Sequence, residues 1–171
     1  TFSAGNEAAV AAYLDGGGSF FLSSHEYLYE RGKTSFGQNY LHIGTFTNDV
    51  KYTDPLGVAG DPLGGGLGPY TLSKPTGWTA TLWTDNVSSD GSIGSGSPFK
   101  WNGNGSNNSV RYGNGTYKTA FIAWPLEGIS SLNGRTAVLG AVIDWFGCSC
   151  TPITGLDFTW QPQDPAEGQD V

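Results

Sequence analysis

The 171-residue chain is short of positive charge: 8 lysines and arginines stand against 15 aspartates and glutamates, a formal net charge of -7. That balance leaves no basic footprint for nucleic acid or for an anionic membrane surface. No run approaches the roughly 18 consecutive apolar residues of a transmembrane helix, so no membrane insertion is expected. Thr1 does not open the charged-then-apolar pattern of a secretory leader, and any such leader is expected to lie upstream or to have been removed.

Cysteine and histidine are equally scarce. Cys148 and Cys150 are separated by a single residue, and the only histidines, His25 and His42, lie far from them in the sequence, so a structural zinc site lacks ligands. The cysteine pair is expected to form a strained local disulfide, because residues two apart reach bridging distance only where the backbone bends; two free thiols are the alternative. Asp54 and Asp61 are weak candidates for a calcium loop, with no EF-hand or nonapeptide spacing around them. No cofactor is expected.

What is plentiful is glycine, 27 residues of it, while charged residues make only 13% of the chain. This balance is more typical of secreted modules than of cytosolic enzymes. The length suits one domain with a sizeable core plus a tail.

Residues 6–15 (NEAAVAAYLD) are rich in helix formers, with Ser3 or Asn6 as N-cap. Three glycines end that helix. The run Phe20, Phe21, Leu22 is continuously apolar, as expected of a central parallel strand covered on both faces. Ser23, Ser24, His25 and Glu26 then form a polar corner at the strand's carboxyl end, where open α/β sheets place their ligand sites. Two short helical stretches follow, the first ended by Gly32 and the second capped by Thr34 or Ser35.

Residues 45–52 alternate as a half-wet strand near an edge, and residues 78–84 alternate likewise. Between them Asp54-Pro-Leu-Gly57 and Asp61-Pro-Leu-Gly64, seven residues apart, read as turns. Two copies are too few for a repeat architecture. Asn114-Gly115 is the strongest hairpin signal. Residues 117–124 form a second apolar strand, and residues 132–146 a helix capped by Ser130 or Ser131, with Leu132, Leu139, Val142, Ile143 and Phe146 on its packing stripe.

Helix, triple glycine, apolar strand and Ser/His corner together resemble the class I glutamine amidotransferase-like fold, in particular its trehalose-utilisation (ThuA-like) branch. Residues 34–41 (TSFGQNYL) resemble the short helix after that corner in large secreted bacterial proteins, and residues 119–128 (TAFIAWPLEG) resemble their closing strand. The resemblance covers residues 4–147. It implies an α/β fold: a flavodoxin-like, amidotransferase-like three-layer sheet, incomplete at its N-terminus, with a β-rich Gly/Asn insertion at about residues 45–118. The missing strands are expected upstream or from another chain. Residues 148–171 resemble a linker and the first strand of a PKD-type, immunoglobulin-like module. The domain division implied is 1–147 and 148–171 of a secreted or cell-surface multi-domain protein.

Active amidotransferases carry a cysteine at the strand-end turn and a distant His-x-Glu. Here Ser23 falls at or beside the cysteine position, and Glu127 has no histidine before it, so that mechanism does not carry over. The expected role is a non-catalytic structural, assembly or ligand-binding module whose partners are neighbouring domains or subunits. Two alternatives remain open. One is a hydrolase using Ser23 or Ser24, with His25, Glu26 or Glu127 as the acid/base group. The other is a carbohydrate-binding module stacking sugars on Trp78, Trp83 or Trp101.

Overall fold

Ser3 opens the first helix, α1 (Ala4–Asp15), by accepting the Asn6 N–H on its hydroxyl while the Asn6 side chain accepts the Ser3 N–H. The reciprocal pair satisfies amides that a helix start otherwise leaves unpaired. The computed structural model describes residues 2–74 and 81–148. After α1 come β1 (Ser19–Ser23) and two single-turn helices, α2 (Tyr27–Arg31) and α3 (Ser35–Asn39). Thr34 caps α3 by accepting the Gly37 N–H. The buried Glu7 of α1 accepts from Tyr27 Oη at 3.0 Å and from Arg31 Nε at 3.2 Å, fastening α1 to α2.

Six strands follow before the chain returns to the side of β1: β2 (Ile43–Thr47), β3 (Pro55–Gly57), β4 (Asn86–Ser89), β5 (Ser95–Gly96), β6 (Phe99–Trp101) and β7 (Ser109–Gly113). The returning strand is β8 (Lys118–Ile122), and a one-turn 3-10 helix (Leu126–Gly128) leads to α4 (Leu132–Phe146). The main sheet has the order β1-β8-β7-β5, with β1 parallel to β8 and the other pairings antiparallel. Two small antiparallel sheets, β2-β4 and β3-β6, flank it. At the β7–β8 hairpin, Asn114 Oδ1 accepts from the N–H groups of Thr116 and Tyr117, the local bonding that suits asparagine to a tight turn.

Side chains alternate along β8 and the two residues that follow it. Ala120, Ile122 and Trp124 enter a core shared with Val138 and Val142 of α4, whereas Phe121 and Ala123 enter a second core with Leu14 and the α2–α3 segment. Helices therefore cover both faces of a mixed parallel and antiparallel sheet, and the protein is of the α/β class.

Three sequence expectations are corrected here. The strand at Phe20 to Leu22 is parallel but not central: it ends the sheet, with β8 as its single strand neighbour among the described residues, and all five of its residues are half-buried. Of the expected packing stripe of α4, Val142 is buried and Phe146 packs against the core, whereas Leu132 is 68% exposed and Leu139 and Ile143 are each 41% exposed. The inward row is Gly134, Val138 and Val142, four residues apart. The exposed leucines and isoleucine are bulkier, but a helix seats itself by closest approach, and the missing side chain at Gly134 brings the backbone against Ile129 and Tyr70. Of the strand expected over residues 78–84, positions 78–80 lie outside the described residues, and residues 81–84 belong to no strand.

Cys148 is exposed. Its expected partner Cys150 lies outside the described residues, as does the expected PKD-like strand after it. Among the described residues no helix is long and apolar enough to cross a membrane.

Candidate functional site

The carboxyl ends of β1 and β8 meet where the sequence places its polar corner. Ser23 Oγ donates to the Trp124 carbonyl at 3.0 Å and accepts the Leu126 N–H at 2.8 Å. Its one proton is thus held by a backbone oxygen, and the hydroxyl splices β1 to the turn that follows β8. Ser24 Oγ accepts the Tyr27 N–H at 3.1 Å and the Glu26 N–H at 3.4 Å, capping the start of α2. His25 Nε2 faces Glu26 Oε1 at 3.3 Å, with Glu26 the more exposed of the two. Glu127 is exposed on the 3-10 turn.

Beside this corner is a cleft of about 380 Å³ lined by Glu26, Tyr29, Asp49 and Trp83. Asp49 and Lys51 both adopt left-handed backbone angles (φ 61° and 60°), uncommon for residues with a Cβ. That geometry brings Lys51 Nζ to 4.2 Å from the centre of the Trp83 ring. Behind Asp49 stands Asp85, 1% exposed. Its backbone N–H donates to the Ala123 carbonyl at 3.3 Å, which sets it at the carboxyl end of β8, and its Oδ1 accepts the Asp49 N–H at 3.0 Å. Asp85 Oδ2 is buried with no partner among the described residues, and so is Asn48 Oδ1. Burial, joined by the charges of Asp49 and Glu26, pushes the Asp85 carboxyl up to about 7, against the pull of the Asp49 N–H.

Of the expected sugar-stacking residues, Trp83 lines this cleft. Trp101 does not: it is fully buried and its indole N–H donates to Asn86 Oδ1, so its ring belongs to the core. Trp78 lies outside the described residues. The weak calcium candidates are also placed. Asp61 spends one oxygen on the N–H groups of Leu63 and Gly64 and the other on Arg111 Nε at 2.8 Å. Asp54 is half-buried with one unpartnered oxygen, and among the described residues no group of three His, Cys, Asp or Glu side chains has a metal-binding arrangement.

A second meeting of serine, histidine and aspartate lies elsewhere. His42 Nδ1 faces Asp90 Oδ2 at 2.9 Å and Ser92 Oγ at 3.0 Å, while Nε2 faces Tyr117 Oη at 3.3 Å. A catalytic triad needs the serine and the carboxylate on opposite ring nitrogens; here both lie on Nδ1, and the ring stacks on Tyr112. The cluster ties the 90–92 loop to the β7–β8 hairpin.

Asp85 and Asp49 escaped the sequence reading. The one trace of Asp85 is its place directly after the alternating Trp83-Thr84, on a chain with few charges.

No known protein family matches this chain, and no curated protein matches it. Among solved structures, its fold is similar to part of a cold-adapted beta-galactosidase from Rahnella sp. R3, with a TM-score of 0.58 and 13% sequence identity over 84% of this chain and 21% of that one. The chain thus spans about a fifth of that protein's length, and at this identity the likeness is one of fold.

Proposed function

We propose that this chain is a non-catalytic binding or assembly module with a flavodoxin-like, class I glutamine amidotransferase-like fold, working within a larger secreted or cell-surface protein. The observation that carries the reading is the state of Ser23. A serine nucleophile needs its proton directed at a base and its oxygen free to attack. Ser23 Oγ instead gives its proton to the Trp124 carbonyl and its lone pair to the Leu126 N–H. Ser24 is occupied as a helix cap. Both hydroxyls serve the backbone, which is the work a strand end asks of polar side chains.

The corner also offers no arrangement for paired carboxylate catalysis by the residues first suspected, since Glu127 is exposed on the turn beyond β8 and Glu26 faces His25. Parallel β1 and β8 with helices on both faces support the amidotransferase-like assignment. The likeness to a fifth of a much longer chain is in keeping with a module.

A fluorophosphonate or acyl-ester probe is expected to leave the protein unlabelled. Ser23→Ala should lower stability by about 1–2 kcal/mol, the usual cost of leaving a part-buried N–H and carbonyl without their bridge, and change no turnover. Labelling that disappears in Ser23→Ala or Ser24→Ala, or hydrolysis of a screened ester, amide or glycoside abolished by those changes, would overturn the reading.

A further inference from the structure

The cleft beside the corner is unbalanced in its hydrogen-bonding groups. Glu26 and Asp49 bring carboxylates to its lining. Behind Asp49, Asp85 Oδ2 is buried without a hydrogen-bond partner among the described residues, and so is Oδ1 of Asn48, the residue before Asp49. Buried polar atoms are nearly always paired, and the orphaned Asn48 oxygen, the Asp49 and Glu26 carboxylates and, once ionised, the Asp85 carboxylate bonded to the Asp49 N–H leave the surroundings of Asp49 rich in acceptors. The donors at hand are the Tyr29 hydroxyl, the Trp83 indole N–H and the Lys51 ammonium, fewer than the acceptors, and Lys51 is drawn over the Trp83 ring.

A ligand that donates without accepting meets this surplus, whereas a sugar hydroxyl brings an acceptor with every donor. Ammonium and guanidinium groups are the donor-only chemistries. Both also stack on aromatic faces, and the cleft has two aromatic walls, with Tyr29 64% exposed. Lys51 is the chain's own example, an ammonium held over Trp83 beside carboxylates.

We propose that this cleft binds an organic cation through an ammonium or guanidinium group, with Glu26 and Asp49 as its carboxylate partners and Trp83 and Tyr29 as its aromatic walls. The proposal rests on the binding-module reading and gives it a ligand class. Lys51 then acts as a resident competitor that the ligand displaces from the indole.

The test is a titration followed by the Trp83 indole N–H signal in two-dimensional NMR, using N-acetyl-arginine amide, glucosamine, glucose and acetate as probes. Saturable shifts with the arginine amide or glucosamine, and none with glucose or acetate, are expected. A tighter arginine amide points to an arginine of a protein partner, and a tighter glucosamine to an amino sugar; either supports the proposal. Glu26→Gln with Asp49→Asn should weaken binding about tenfold, as for loss of charge-assisted hydrogen bonds, with preserved signal dispersion showing that the variant is folded. Lys51→Ala should tighten binding several-fold by freeing the indole, a result no structural role for Lys51 gives. Glucose or acetate matching the cations, weaker binding in Lys51→Ala, or no shift with either cation would overturn the proposal. Turnover of the esters and amides used to test Ser23 bears on the non-catalytic reading alone, so the two failures are distinguishable.

Discussion

Gly57→Ala and Gly64→Ala are each expected to cost at least about 3 kcal/mol, at or beyond the upper end of ordinary overpacking, and to leave the protein largely insoluble when expressed. A methyl group on Gly57 would overlap the carbonyl oxygen of Gly64, and one on Gly64 would overlap the carbonyl oxygen of Pro98. The obstacles are backbone atoms, which cannot swing aside as a side chain does. They are also pinned: the Leu67 N–H donates to the Gly64 carbonyl at 3.1 Å and the Val58 N–H to the Pro98 carbonyl at 2.8 Å. Three passes of the chain close on one another here, and the β3-β6 pairing depends on that closeness. Gly140→Ala is the internal control. It lies within α4 with open space around its Cα, so alanine should raise stability by about 0.5–1 kcal/mol through helix propensity. Thermal melts of the three variants decide the matter. A soluble Gly57→Ala or Gly64→Ala melting within a few degrees of wild type would show that the contact yields.

The twin Asp-Pro-Leu-Gly motifs show what the sequence could and could not convey. Their proline, aspartate and glycine made turns legible, and Asp61 does form one by accepting the N–H groups of Leu63 and Gly64. The first copy, with the same four letters, becomes strand β3 instead, because Phe99 to Trp101 lies beside it, a partner 42 residues away in the chain. Local chemistry was legible wherever the cause is local: the Ser3 and Thr34 caps, the Asn114 turn and the Gly147 stop of α4 all lie where their residue types place them. Features decided at a distance were not. The edge position of β1, the inward row of α4 and the burial of Trp101 depend on which surface arrives opposite. The polar corner was found by its residue types, yet its serines are tied to Trp124, Leu126 and Tyr27, and the neighbouring cleft draws on Asp49 and Trp83 from two other stretches.

Asp85→Asn is expected to make the protein more stable than wild type at pH 8, by on the order of 3 kcal/mol. In the unfolded chain an aspartate loses its proton near pH 4, but in the fold the Asp85 carboxyl holds it up to about pH 7, chiefly through burial and then through the charges of Asp49 and Glu26. Between those values the native state binds more protons than the unfolded one, so stability falls as pH rises from about 4 to about 7 and levels off above. Asparagine keeps the oxygen that accepts the Asp49 N–H, replaces the orphaned oxygen with an amide NH2 that suits acceptor-rich surroundings, and does not ionise. Its melting temperature should therefore stay flat over this range while that of wild type drops by about 10 °C, the usual equivalent for a domain of this size. Asp90 gives the opposite slope on the acid side. Burial works against its ionisation, but two hydrogen bonds from Ser92 and the neighbouring His42 outweigh it and hold the carboxyl at about 2. The stability it lends is therefore lost only as pH falls from about 4 through 2, so the wild-type maximum should lie near pH 4, where the two slopes meet. Melts across pH 2–9 test both limbs. A wild-type curve flat from pH 5 to 8, or an Asp85→Asn curve that follows it downward, would mean that the buried carboxyl already has a donor behind Asp49.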